Sequence, residues 1–108
     1  MKELKMINLH KFFIAIITLF LGLYSYAWAY KPEKGFVPNK DIASKIAEVI
    51  VIPIYGESNI KKQKPFHVVL KDSIWIVEGT LPKGYVGGVF LIKIAKEDGR
   101  ILYLEHTQ

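Results

Sequence analysis

Residues 89–106, VFLIKIAKEDGRILYLEH, decide the fold. Two apolar, β-branched runs flank Glu97-Asp98-Gly99, a group of turn residues, so the segment reads as a β-hairpin. The turn sets the register. A two-residue Asp98-Gly99 turn would set Ile94 opposite Tyr103 and Ile92 opposite Glu105. A three-residue Glu97-Asp98-Gly99 loop, with Gly99 in the left-handed region, sets Ile94 opposite Leu102 and Ile92 opposite Leu104. The second choice pairs apolar with apolar and is preferred. Phe90, Ile92, Ile94, Leu102 and Leu104 are then expected to line one face of a sheet.

A second hairpin is read upstream. Phe66, Val68 and Leu70 alternate with His67 and Val69, Lys71-Asp72-Ser73 supplies a turn, and residues 74–78 (IWIVE) are rich in β-branched and aromatic side chains. Residues 79–88 (GTLPKGYVGG) form a glycine- and proline-rich connection between the hairpins. Before them, Asn39 is a good N-cap and Asp41 suits the first turn of a helix. Ile42, Ile46, Val49 and Ile50 recur at helical spacing beside Ala43 and Ala47, and Lys40, Ser44, Lys45 and Glu48 fall opposite. Pro53 is expected to end or kink this helix. Residues 57–64 read as a polar loop and residues 30–38 as an extended, mobile lead-in. The fold class is therefore α+β, with one N-terminal helix packed on a four-stranded antiparallel meander.

The first 29 residues read as a signal peptide. Lys2, Lys5 and Lys11 make a positive start, residues 12–23 (FFIAIITLFLGL) an apolar block, and Ala27-Trp28-Ala29 a cleavage site that leaves Tyr30 first. Residues 12–29 just reach the length of a membrane anchor, so an uncleaved leader is the alternative, and contact with the membrane is expected only through it. In either case the domain at residues 39–108 is expected outside the cytoplasm, exported to the periplasm, because positive charges stay inside. Without the leader, 79 residues remain, enough for one small core.

The rest of the composition narrows the function. Setting aside Lys2, Lys5, Lys11 and Glu3 leaves 12 basic and 9 acidic residues. That is a mildly basic surface and not the dense positive footprint of a nucleic-acid binder. The chain has no cysteine, so neither a disulfide nor a lipid-bearing cysteine is available. His67 and His106 sit on separate strands without ligand-like spacing, so no metal site is read. Ser44, Ser58 and Ser73 lie outside any nucleophile elbow. Glu97 and Asp98 belong to a turn. Gly79 to Gly84 has the glycine spacing of a phosphate loop, but Tyr85 and Val86 stand where Lys and Ser/Thr are required. No catalytic residue and no cofactor site is assigned.

Lys61, Lys62 and Lys64 form a basic cluster, read either as a solvated loop or as contact with an acidic partner. Trp75 has two readings. It is core, or it lies with Val77 on the outer sheet face and marks a binding surface. Gly84, Gly87 and Gly88 expose backbone, and Lys83 and Tyr85 are the side chains there best able to reach a partner. Partner-binding candidates are therefore Lys83, Tyr85, Gly87 and Gly88, joined by Trp75 if it faces outward.

Ile52-Pro53-Ile54-Tyr55-Gly56-Glu57, Lys64-Pro65-Phe66, residues 75–82 (WIVEGTLP), Gly87-Gly88 and the Asp98-Gly99 turn resemble a group of small bacterial immunity proteins with a nuclear-transport-factor-2-like, or cystatin-like, fold. The resemblance covers nearly all of residues 36–106. It implies a reduced helix-plus-sheet version of that fold. It also implies a protein that binds and neutralises a cognate toxin of a polymorphic toxin system, with no catalytic residues to carry over. The alternative is a periplasmic binding or inhibitory domain acting on an envelope enzyme.

Overall fold

The structure is a computed structural model that describes residues 30–108. The leader lies outside the described residues. The domain contains α1 (Lys40–Tyr55), α2 (Glu57–Lys62), β1 (His67–Lys71), β2 (Ile74–Glu78), β3 (Phe90–Ala95) and β4 (Ile101–His106). The four strands form one antiparallel sheet in the order β1-β2-β3-β4.

Helix α1 begins where Asn39, in extended conformation, accepts a hydrogen bond from the Ile42 N–H through its side chain at 2.9 Å. Its buried line is Ala43, Ala47 and Val51, at i, i+4 and i+8, and it packs against β1, β2 and β3. Ile42, Ile46 and Ile50 border this line, while Val49 is 70% exposed and does not join the core. The expected apolar face is thus rotated. The two alanines at its centre leave volume for the large side chains of the sheet, Trp75, Phe90, Ile92 and Ile94, which are all buried.

Pro53 does not end α1, which continues to Tyr55. Gly56, at φ +91°, stops it, with its N–H bonded to the Ile52 carbonyl. The conformation there favours glycine. Residues 57–62 are then helical rather than a loop. The correction has a physical cause. The Glu57–Lys61 ion pair (3.0 Å) bridges one helical turn, and Ile60 is fully buried in the core.

Strands β1 and β2 are joined by the two residues Asp72 and Ser73, both at positive φ (51° and 62°), with Lys71 opposite Ile74. Two consecutive left-handed residues match the right-handed twist of the hairpin. The β3–β4 hairpin realises the expected Ile92–Leu104 pair by another route. Ala95 N–H bonds to the Arg100 carbonyl, so the loop holds four residues, and Ile94 faces Ile101. A bulge then absorbs Leu102 and restores the register at Lys93–Tyr103. Gly99 is left-handed, as expected, at φ +77°. Leu102 is exposed, which removes it from the expected core face.

The lead-in is docked. Phe36 and Val37 donate backbone hydrogen bonds to the Glu97 and Lys96 carbonyls at 2.9 and 3.1 Å, and Val37 is buried. A Cβ at Gly35 would lie 2.4 Å from the Lys96 carbonyl oxygen, so only glycine lets the chain pass this close. Where the sequence predicts an extended, mobile segment, the β3–β4 loop supplies the partners that fix it.

Candidate partner-binding groove

Trp75 lies at 4% exposure in the core, and its indole N–H donates to the Val37 carbonyl at 2.7 Å. Of its two readings, the core one holds. Trp75 faces the same side as Val77, Ile92 and Ile94, all buried, so the condition for its joining a binding surface is not met. Its polar end is satisfied by the docked lead-in rather than by solvent.

The other candidates fall on the connection between β2 and β3, which runs beside α2. A cleft of about 220 Å³ separates the two. One wall is Asn59, Lys62 and Gln63. The other is Leu81, Pro82, Tyr85, Val86, Gly87 and Gly88, and His106 from the end of β4 also lines it. Tyr85, Gly87 and Gly88 are therefore brought together, whereas Lys83 is exposed on the same loop and does not line the cleft. The two glycines differ. Gly87, at φ +141°, has open space where a Cβ would stand, while a Cβ on Gly88 would sit 1.3 Å from the Thr107 carbonyl oxygen. Gly88 lets the chain pass the end of β4, and its value to the fold is steric.

Gln63 holds the groove together. It is 2% exposed and sits just past α2, in a stretch whose sequence reads as loop. Its Oε1 accepts the Phe90 N–H at 3.0 Å. Its Nε2 then faces Asn59 Oδ1 (3.5 Å) and His106 Nε2 (3.2 Å). The Phe90 backbone donor fixes which end of the amide is which, so Gln63 Nε2 donates and His106 Nε2 accepts. His106 Nδ1 lies 2.8 Å from the Thr107 carbonyl, which can only accept, so Nδ1 carries the proton. The Gln63 carbonyl also takes the Thr80 N–H at 2.8 Å. One residue thus ties α2 to the starts of the 80–88 loop and β3 and to the end of β4. Gly79 makes room for it, since a Cβ there would lie 2.3 Å from Gln63 Oε1. The signals for this residue are Asn59 and Gln63 at i, i+4 and the Glu57–Lys61 pair, once residues 57–63 are read as helix.

The groove's electrostatics are one-sided. Lys61 pairs with Glu57 (3.0 Å) and Lys64 with Glu48 (2.8 Å), but Lys62 lies 5.8 Å from the Tyr85 ring centroid and pairs with no acid among the described residues. Outside the groove, one phenol is perturbed. Tyr103, on the exposed sheet face, is raised above the ordinary tyrosine value because its hydroxyl donates to Glu105 (2.8 Å) and because Glu105 is negative. Among the described residues no group of three His, Asp or Glu side chains could hold a metal ion, and no helix is long and apolar enough to cross a membrane.

Residues 42–108, from the first turn of α1 through β4 and including the whole groove, match the model of a family described as NTF2 fold immunity protein. The chain belongs to this family of immunity proteins. It is 40% identical over 108 residues to the uncharacterized protein YhhH of Escherichia coli (strain K12), covering 84% of each chain. It is 36% identical over 76 residues to the uncharacterized protein YbbC of the same organism, covering 69% of this chain and 62% of that one. No solved structure matches. The immunity protein's sheet, its 80–88 loop, α2 and all of α1 but Lys40 and Asp41 therefore lie within the family's span.

Proposed function

We propose that this immunity protein is exported, that it binds a cognate bacterial toxin, and that it neutralises the toxin by stoichiometric protein–protein binding without chemistry of its own. The family match over residues 42–108 carries the reading. The 80–88 loop supports the choice of contact surface. Leu81, Tyr85 and Val86 are exposed there, and large apolar side chains gathered at a rim are what a partner covers. Lys83 and Tyr85 are the principal contacts, and Gly87 permits close backbone approach. Export rests on the leader read at residues 1–29.

The test is a titration of the cognate toxin with purified immunity protein. Toxin activity should fall to its end point near an equimolar ratio. Protection at strongly substoichiometric amounts would indicate catalysis and defeat the mechanism. Intact mass of the protein from the envelope fraction tests the leader. A mass beginning at Tyr30 supports cleavage, and a mass beginning at Met1 in a membrane-held protein supports an anchor.

A further inference from the structure

We infer that the groove between α2 and the 80–88 loop receives a segment of the partner in which a carboxylate stands beside a large apolar side chain, with Lys62 reading the charge and Tyr85 and Val86 the apolar group. The inference rests on the toxin-binding reading and adds the chemistry that the groove selects.

Size comes first. Small-molecule sites usually enclose about 300–1,000 Å³. At about 220 Å³ the groove is smaller and suits one or two side chains of a peptide. Charge comes next. Neither wall carries an acidic residue, while Lys62 contributes a cation. The neighbouring Lys61 and Lys64 are neutralised by Glu57 and Glu48. Lys62 is thus the cation at this wall whose field is directed to an incoming group, and a carboxylate complements it. Its position against the Tyr85 ring orders the ammonium and the ring together before binding.

The apolar requirement follows from exposure. Val86 is fully exposed and Tyr85 more than half exposed, so neither contributes to the described core. Beside them the backbone groups of Val86 and Gly87 make no hydrogen bond to another described residue, although Tyr85 N–H bonds to the Pro82 carbonyl and Thr107 N–H to the Val89 carbonyl on either side. An incoming main chain therefore finds unpaired donors and acceptors next to an apolar surface and a cation. Gln63 and His106 form a floor that is already hydrogen-bonded and does not compete for the ligand.

The test uses isotope-labelled protein and three blocked tetrapeptides as probes: glycine-aspartate-leucine-glycine and its asparagine and lysine counterparts at the second position. Amide shifts should move at Lys62, Tyr85, Val86 and Gly87 with the aspartate peptide. The dissociation constant should be on the order of millimolar and about tenfold weaker for the lysine peptide, a difference of about 1.4 kcal/mol. Lys62→Gln, with its remaining spectrum unchanged, should bind the aspartate and asparagine peptides alike. Equal binding of the aspartate and lysine peptides, or no shifts in the groove, overturns the inference. The equimolar protection assay is read separately. Protection without peptide discrimination leaves the toxin-binding reading intact and removes this one. Discrimination without protection keeps the groove's chemistry and removes the toxin.

Discussion

Gln63 Oε1 accepts the Phe90 backbone N–H at 3.0 Å, across 27 residues of chain, inside a site only 2% exposed. The bond matters because Phe90 N–H begins β3 just after a loop without regular structure, and the acceptor it finds is the Gln63 side chain. A buried N–H left without a partner costs about 1–3 kcal/mol.

Gln63→Leu should therefore destabilise the domain by about 2–3 kcal/mol, through the unpaired Phe90 N–H and the lost anchor of His106. His106→Ala should cost less, because Gln63 keeps its Phe90 bond. Urea unfolding of both single variants and the double variant measures the coupling between the two side chains. Additive losses would mean that the 3.2 Å contact with His106 contributes nothing.

Trp75→Phe keeps most of the core volume but leaves the Val37 carbonyl without the indole N–H. A loss of about 1–3 kcal/mol is expected, together with faster amide exchange at Phe36 and Val37 as the lead-in loosens. A variant with wild-type stability and exchange would remove Trp75 as the lead-in's anchor.

The groove glycines should separate. Gly88→Ala forces a Cβ into the Thr107 carbonyl and should lower the melting temperature sharply or prevent folding. Gly87→Ala meets no atom within 4 Å and carries only the strain of φ +141°, so it should fold with a smaller loss. Equal melting temperatures would contradict the close approach of the chain to the end of β4.

Lys83→Ala and Tyr85→Ala should leave the melting temperature nearly unchanged, since both side chains are exposed. Each should weaken toxin binding by about 1–2 kcal/mol. Calorimetric binding and thermal melts on the same samples check both halves. Normal binding by both variants would place the interface elsewhere.

Tyr103 should lose its proton at higher pH than an unperturbed tyrosine, for which about 10 is usual. The raised value means that folding favours the protonated phenol. Its contribution is present below the unfolded value and lost as pH rises through the folded one. Glu105→Gln removes the negative charge and should bring Tyr103 back toward the ordinary range. Ring-carbon NMR titration of Tyr103 in both proteins reads the difference, and identical curves would refute the role of Glu105.

The sequence by itself determined the local elements. Asn39 marked the start of α1, the alternation of Phe66, Val68 and Leu70 and the β-branched and aromatic run at residues 74–78 marked β1 and β2, and Gly99 marked the left-handed turn. Capping, period-two alternation and positive φ are properties of a few adjacent residues, so they are written in the chain. The family was legible as well, through IPIYGE, WIVEGTLP and Gly87-Gly88, which all fall within residues 42–108. Tertiary structure decided what depends on distant partners. The orientation of Trp75 was open until Val37 supplied its acceptor. The bulge at Leu102 moved one leucine out of the core while preserving the Ile92–Leu104 pair that the hydrophobic pattern required. Residues 57–62 became a helix because Ile60 is buried in the core. The groove exists because Gln63 reaches Phe90 and His106, 27 and 43 residues away, through a gap that Gly79 leaves open. A polar side chain in a polar stretch gives no local sign of burial. Its environment is set by which backbone groups the folded sheet leaves unpaired, and that is fixed only when the strands have met.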